Sequence, residues 1–126
     1  MLARQARRAG EADDPAALAD LWREAQTRFA RELEPHFRAE ETALLPPLEA
    51  AGEATLVART RADHARLREL IAGAARAAEA RAFGTLLHEH VRFEERSLFP
   101  RAEQVLTPEA LAAVGRAARE ARRARP

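Results

Sequence analysis

Apolar residues recur along this chain every three to four positions, the spacing that lines them up on one face of a helix. The first stripe runs through Leu18, Leu21, Trp22, Ala25, Phe29 and Leu33, and Asp14 followed by Pro15 signals its start as an N-cap and a first-turn proline. Continued at the same period, it reaches His36, Phe37, Glu40, Leu44 and Leu48. Pro35 lies inside the run and is expected to bend the helix just ahead of His36, while Pro46 and Pro47 are expected to loosen its end. Gly52 marks the turn that follows.

A second stripe passes through Leu56, Val57, Thr60, His64, Leu67 and Ile71 and on to Ala74 and Ala78. A third begins near Arg81 and takes in Phe83, Leu87, His90, Val91, Glu94 and Leu98, with Pro100 loosening its end. Thr107-Pro108-Glu109 repeats the cap-and-proline signal and opens a last helix through Leu111, Val114 and Ala118, which runs into an Arg-rich tail. Ahead of Gly10, Met1 to Ala9 form a stub of about two and a half turns of helix former. No stretch alternates apolar and polar residues over a strand's length, so the expected class is all-α.

Histidine and glutamate stand on these stripes where core residues belong. Four of these five intrusions, His36, Glu40, His90 and Glu94, belong to a repeated phrase: His36-Phe37-Arg38-Ala39-Glu40-Glu41-Thr42-Ala43-Leu44-Leu45-Pro46, then His90-Val91-Arg92-Phe93-Glu94-Glu95-Arg96-Ser97-Leu98-Phe99-Pro100. The His, the Arg, both Glu, one Leu and the Pro are identical. His and Glu four apart sit one helical turn apart on the same side, where both can reach one cation. A Glu buried ionised without a partner costs several kcal/mol, and a divalent or trivalent cation between the helices removes that cost. The alternative is a solvated face on which the glutamates pair with Arg38, Arg92 or Arg96. Such a face requires neither the repeat nor the core register of His36, Glu40, His64, His90 and Glu94.

Glu41 and Glu95 lie one residue off the inward stripe and read as ion-pair partners or as groups supporting the ligands, the ion pair being favoured. His88, two positions before His90, points to a different side and reads as a partly exposed polar residue. Trp22 and the five Phe read as core.

Composition narrows the chemistry. At 126 residues, residues 1–126 are expected to form a single domain. There is no cysteine, so thiolate metal sites, disulfides and Cys nucleophiles are excluded, and any metal must take imidazole and carboxylate. That donor mix suits Fe, Mn or Zn. Charged residues make up 33% of the chain but the net charge is only +1, the pattern of solvated helix faces rather than of a polyanion binder. The tail from Arg116 to Arg125 is short and interspersed with Ala and Glu, so no nucleic acid is expected as partner. No apolar run is long enough for a membrane span and the N-terminus lacks an apolar core segment, so a cytoplasmic location is expected.

HFRAEETALLP, the DH of DHARLREL, and HEHVRFEERSLFP closely resemble the hemerythrin-like (HHE cation-binding) family, over roughly residues 14 to 106. Ferritin-like diiron bundles carry Glu-x-x-His instead and do not match. The resemblance implies an up-down-up-down four-helix bundle around a diiron centre, with residues 107–126 as an additional C-terminal helix and tail. By motif position it implies His36, Glu40, His64, His90 and Glu94 as metal ligands. It also implies a His near the start of the first helix. No His precedes His36, and Leu2 to Arg8 look like the second half of that helix. The expectation is therefore a chain start placed inside the first helix, or a depleted site that loads weakly or with one metal, and a groove left partly uncovered that favours lower stability or a homodimer unless the helix after Thr107, with its thin stripe, covers part of it.

The resemblance further implies binding or sensing of O2, NO or iron, or a role in oxidative stress or iron homeostasis. No nucleophile–base pair, phosphate loop or cofactor fingerprint accompanies the site, so ligand binding is expected more than turnover, with an oxidase-like activity left open. The alternative is a metal-depleted helical module acting through its faces.

Overall fold

A computed structural model describes residues 2–12 and 14–123, so residue 1 of the stub and the last residues of the Arg-rich tail lie outside the described residues. Among the described residues there are five helices and no strands. The first is α1 (Leu2–Gly10). The second is one long rod, α2 (Pro15–Arg28), α3 (Glu34–Ala39) and α4 (Leu45–Ala50), joined through π-helical turns at Phe29–Leu33 and Glu40–Leu44. The third is α5 (Ala54–Ile71). The fourth is α6 (Ala77–Phe93), continued through a π-helical turn at Glu94–Leu98 into α7 (Phe99–Val105), and the fifth is α8 (Pro108–Arg123).

Asp14 caps α2 as its type predicts, its Oδ1 accepting from the Ala16 N–H at 3.1 Å, with Pro15 at the first helical position. Thr107 does the same for α8, its Oγ1 accepting from the Ala110 N–H at 3.1 Å. Gly52 takes φ +91°, where an L side chain would be strained, and lets the chain reverse from α4 into α5. The second stripe is shorter than its periodicity suggests. α5 stops at Ile71, so Ala74 falls in the connection and Ala78 belongs to α6, which begins at Ala77 rather than near Arg81. Trp22 Nε1 donates to the Gly73 carbonyl at 3.0 Å, tying that connection to α2.

The helices continue through the internal prolines, without the loosening expected at Pro46, Pro47 and Pro100. Each is preceded by a π-helical turn in which the residue just before the proline bonds five residues back: Glu34 N–H to Phe29 O, Leu45 N–H to Glu40 O, and Phe99 N–H to Glu94 O. Inserting one residue in this way moves the carbonyl that a proline ring would strike and removes the need for its missing N–H. The helices run on through Pro35, Pro46, Pro47 and Pro100. In both repeated phrases the widened turn opens on the shared Glu, Glu40 in one and Glu94 in the other.

Two apolar clusters form the core. One gathers Trp22, Phe29, Phe37, Leu67, Phe83 and Leu87 with the buried face of α1. The other gathers Leu44, Leu45, Leu48, Val57, Leu98 and Ala102. Trp22, Phe29, Phe37 and Phe83 are buried as expected, whereas Phe93 and Phe99 are only half-buried. Along each of three helices the buried polar residues fall between the clusters: Glu40 between Phe37 and Leu44, His64 between Leu67 and Val57, His90 and Glu94 between Leu87 and Leu98. The polar residues thus form a layer with apolar packing on both sides.

Short as it is, α1 is firmly docked. Ala3, Ala6 and Ala9 are buried against α6, and a Cβ at Gly84 would lie 2.8 Å from the Ala3 carbonyl oxygen, so only glycine permits this approach. Arg81 Nη1 donates to the Gly10 carbonyl at 2.7 Å and closes the end of α1.

Candidate metal centre

The polar layer brings one nitrogen or oxygen from each of Glu40, His64, His90 and Glu94 to within 4.8 Å of one another, and all four residues are buried. Ligands on opposite sides of one ion at about 2.1 Å stand about 4.2 Å apart, so a small inward closing of the four would let them share one. The fifth expected residue, His36, is 42% exposed at its side chain and joins the group through Glu40, its Nε2 lying 3.4 Å from Glu40 Oε2. His88 is half-buried and takes no part.

Each buried imidazole is held by an acid from a neighbouring helix. His64 Nδ1 donates to Glu41 Oε2 at 2.7 Å, and His90 Nδ1 donates to Asp63 Oδ2 at 2.9 Å. The acids are held in turn by arginines of α5: Arg68 meets both Glu41 oxygens at 2.8 and 3.0 Å, and Arg59 Nε donates to Asp63 Oδ2 at 3.2 Å. Phe37 stacks on the His64 ring at 3.8 Å between centroids and meets the His90 ring edge-on at 5.7 Å. With the proton placed on Nδ1 by its partner, each ring turns a bare Nε2 inward.

Those inward atoms do not satisfy one another. His64 Nε2 is 3.1 Å from Glu40 Oε1, and His90 Nε2 is 3.3 Å from Glu94 Oε2. Yet both Nε2 atoms, both Glu40 oxygens and Glu94 Oε2 are buried without a hydrogen-bond partner. The distances alone suggest ion pairs, but the geometry does not align a hydrogen bond, and an Nε2 lone pair against a carboxylate is two acceptors face to face. Buried polar atoms are rarely left so, and five converging on one point are what a cation between them would satisfy. The residues present therefore fit a metal ion of the Fe, Mn or Zn kind, with two imidazole nitrogens and two carboxylates as donors.

The electrostatics carry the same tension. Burial opposes ionisation of Glu40, but the His36 and His64 imidazoles close beside it outweigh burial and hold the carboxyl well below the usual range. Burial pushes the Glu94 carboxyl up to about 7, helped by the Glu40 charge beside it and only partly opposed by His90. The Glu40 carboxylate beside it raises His36; burial works against charging His90, yet Glu94 and Asp63 raise it. For Glu41, burial is overcome by Arg68 and His64, which keep it ionised below its ordinary value.

Glu41 is both of the things expected of it, an ion-pair partner of Arg68 and the support of His64. Its counterpart in the repeat, Glu95, is exposed. Asp63, Arg59 and Arg68 are missing from the reading of the sequence. The signal for Asp63 is its place directly before His64, matching Glu41 directly after Glu40: an acid beside a ligand points about 100° away around the helix, toward the next one.

An all-helical protein with a buried imidazole–carboxylate cluster suited to a metal ion is the class that fold and centre define. The family model of the Hemerythrin HHE cation binding domain matches residues 1–102, and the chain belongs to that family. No curated protein and no solved structure matches the chain. Among the described residues no helix is long and apolar enough to cross a membrane.

Proposed function

We propose that this chain is a non-haem iron-binding protein that binds or senses a small diatomic ligand such as O2 or NO, with its helices in the up-down-up-down order of the family bundle. His64, His90, Glu40 and Glu94 would hold the more enclosed metal position, and His36 with Glu40 a more open one. The observation that carries the reading is the set of five buried nitrogen and oxygen atoms without hydrogen-bond partners in the polar layer. Iron bound there would supply a redox-active Lewis acid. The chain's own residues do the rest. Glu41 and Asp63 fix which imidazole nitrogen faces inward, Phe37 holds both ring planes, and the flanking apolar clusters keep water from the layer.

Anaerobic loading with Fe(II), followed by a metal count and a near-ultraviolet spectrum, tests the reading. The expected result is iron retained after desalting, with absorption that His64→Ala or Glu94→Ala abolishes while the helical circular dichroism persists. A folded chain that retains no iron, manganese or zinc would overturn it in favour of a metal-free helical module.

A further inference from the structure

The roof of the centre comes from outside the family domain. α8 begins at Pro108, beyond residue 102 where the family match ends, and packs on α3 and on the Glu40–Leu44 turn. Beneath it lies a partly closed cavity of about 140 Å³, walled by His36, Glu40, Leu44 and Phe99 on one side and by Val114 and Ala118 of α8 on the other. The surface this cavity exposes is wholly apolar, although two of its wall residues belong to the centre.

The cavity lies on the open side of the centre. His64 and His90 are closed off, at 0% and 1% side-chain exposure, whereas His36 stands at 42%. An apolar space of this size does not hold a stable water cluster but does take small apolar guests. It offers nothing to offset the desolvation of an anion, and the arginines of α8, Arg116, Arg119, Arg122 and Arg123, are exposed rather than turned inward. α8 itself buries no residue fully. A helix held by half-buried residues alone, Leu111, Val114 and Ala118 among them, opens at low cost.

We propose that α8 turns this cavity into a chamber for an uncharged molecule of two or three heavy atoms beside His36 and Glu40, and that Val114 and Ala118 set its size. What the guest reacts with rests on the metal-binding reading above; the chamber itself does not.

Xenon titration of the metal-free protein, followed by methyl NMR, tests the chamber. Saturable shifts are expected at Leu44 and Val114, lost in Ala118→Leu, which fills the space. Val114→Ala enlarges it and should bind xenon more tightly, which keeps the test decisive if Ala118→Leu does not fold. In the Fe(II)-loaded protein, nitric oxide should associate about tenfold more slowly with Ala118→Leu and faster with Val114→Ala, at unchanged iron content. Xenon shifts that are absent, or indifferent to both substitutions, overturn the proposal, as do unchanged nitric oxide rates in both variants. A chain that takes up no metal overturns the functional reading alone, and the xenon titration then still decides the chamber.

Discussion

His64 donates its Nδ1 proton to Glu41 at 2.7 Å, and Glu41 sits beside Glu40, whose own carboxylate faces the other nitrogen of the same ring at 3.1 Å. Two adjacent acids thus grip one imidazole from both sides. The sequence separation that achieves this, one residue, is the smallest possible, because neighbouring side chains on a helix diverge by about 100°.

Removing the outer grip leaves the inward atoms in place but frees the ring to turn or change tautomer. Glu41→Gln and Asp63→Asn are each expected to weaken zinc or iron binding by about 10- to 100-fold, with little loss of helix. Competition titration against a chelator of known affinity measures this. Affinity unchanged in both variants would show that the rings are held by packing alone.

Without metal, the centre should make the fold sensitive to pH. Glu94 has a folded pKa of about 7, above its ordinary 4.5, so its contribution is complete below 4.5 and is lost as pH rises through about 7. His36 and His90 are also raised and act in the same sense above 6.5. Glu40 is lowered, so its contribution is lost only as pH falls below 4.5. The unfolding free energy of the metal-free protein, read from urea titrations, should therefore fall from pH 5 to pH 8, by on the order of 2 kcal/mol. Saturating zinc should reverse the slope, since its ligands must be deprotonated.

Phe37 carries two loads, a place in the apolar cluster and a stacked face for His64. Phe37→Ala should destabilise the fold by about 3–5 kcal/mol and weaken metal binding as well. Phe37→Leu separates the two by keeping most of the volume and losing the stacking. Chemical denaturation and metal titration on both variants read the difference.

At Gly84 the α1 backbone comes too close for any side chain. Gly84→Ala is expected to cost about 1–3 kcal/mol and to loosen α1 in preference to the rest. Amide exchange should then rise over Leu2–Gly10 while α5 stays protected; uniform loosening would mean that α1 is not a separate unit.

The helices, their caps and the buried polar layer were legible because each rests on local chemistry. Asp14 and Thr107 cap by side-chain type, and His64 and Glu94 stand out on apolar stripes whatever surrounds them. The prolines misled because their cost was reckoned for an α-helix. A π-helical turn one step upstream answers Pro46 and Pro100 alike, and one-face periodicity has no term for an added residue. Arg59 and Arg68 escaped notice for another reason. Arg68 reaches Glu41 across 27 positions of sequence, a partnership that exists only once the helices have packed. α8 was legible as a helix able to cover part of the groove, but not the cavity it closes beside His36, since its stripe is thin and its burial partial.

The acids that steer the imidazoles each come from a different helix than the ring they steer: Glu41 of the long rod holds His64 of α5, and Asp63 of α5 holds His90 of α6. No single helix therefore supplies both an imidazole and the acid that steers it. Fraying of any one of the three loosens a grip on its neighbour, so a metal bound there would report on whether the whole bundle is closed. An ion held there would lose the orientation of its imidazoles whenever one of the three helices parted from its neighbour.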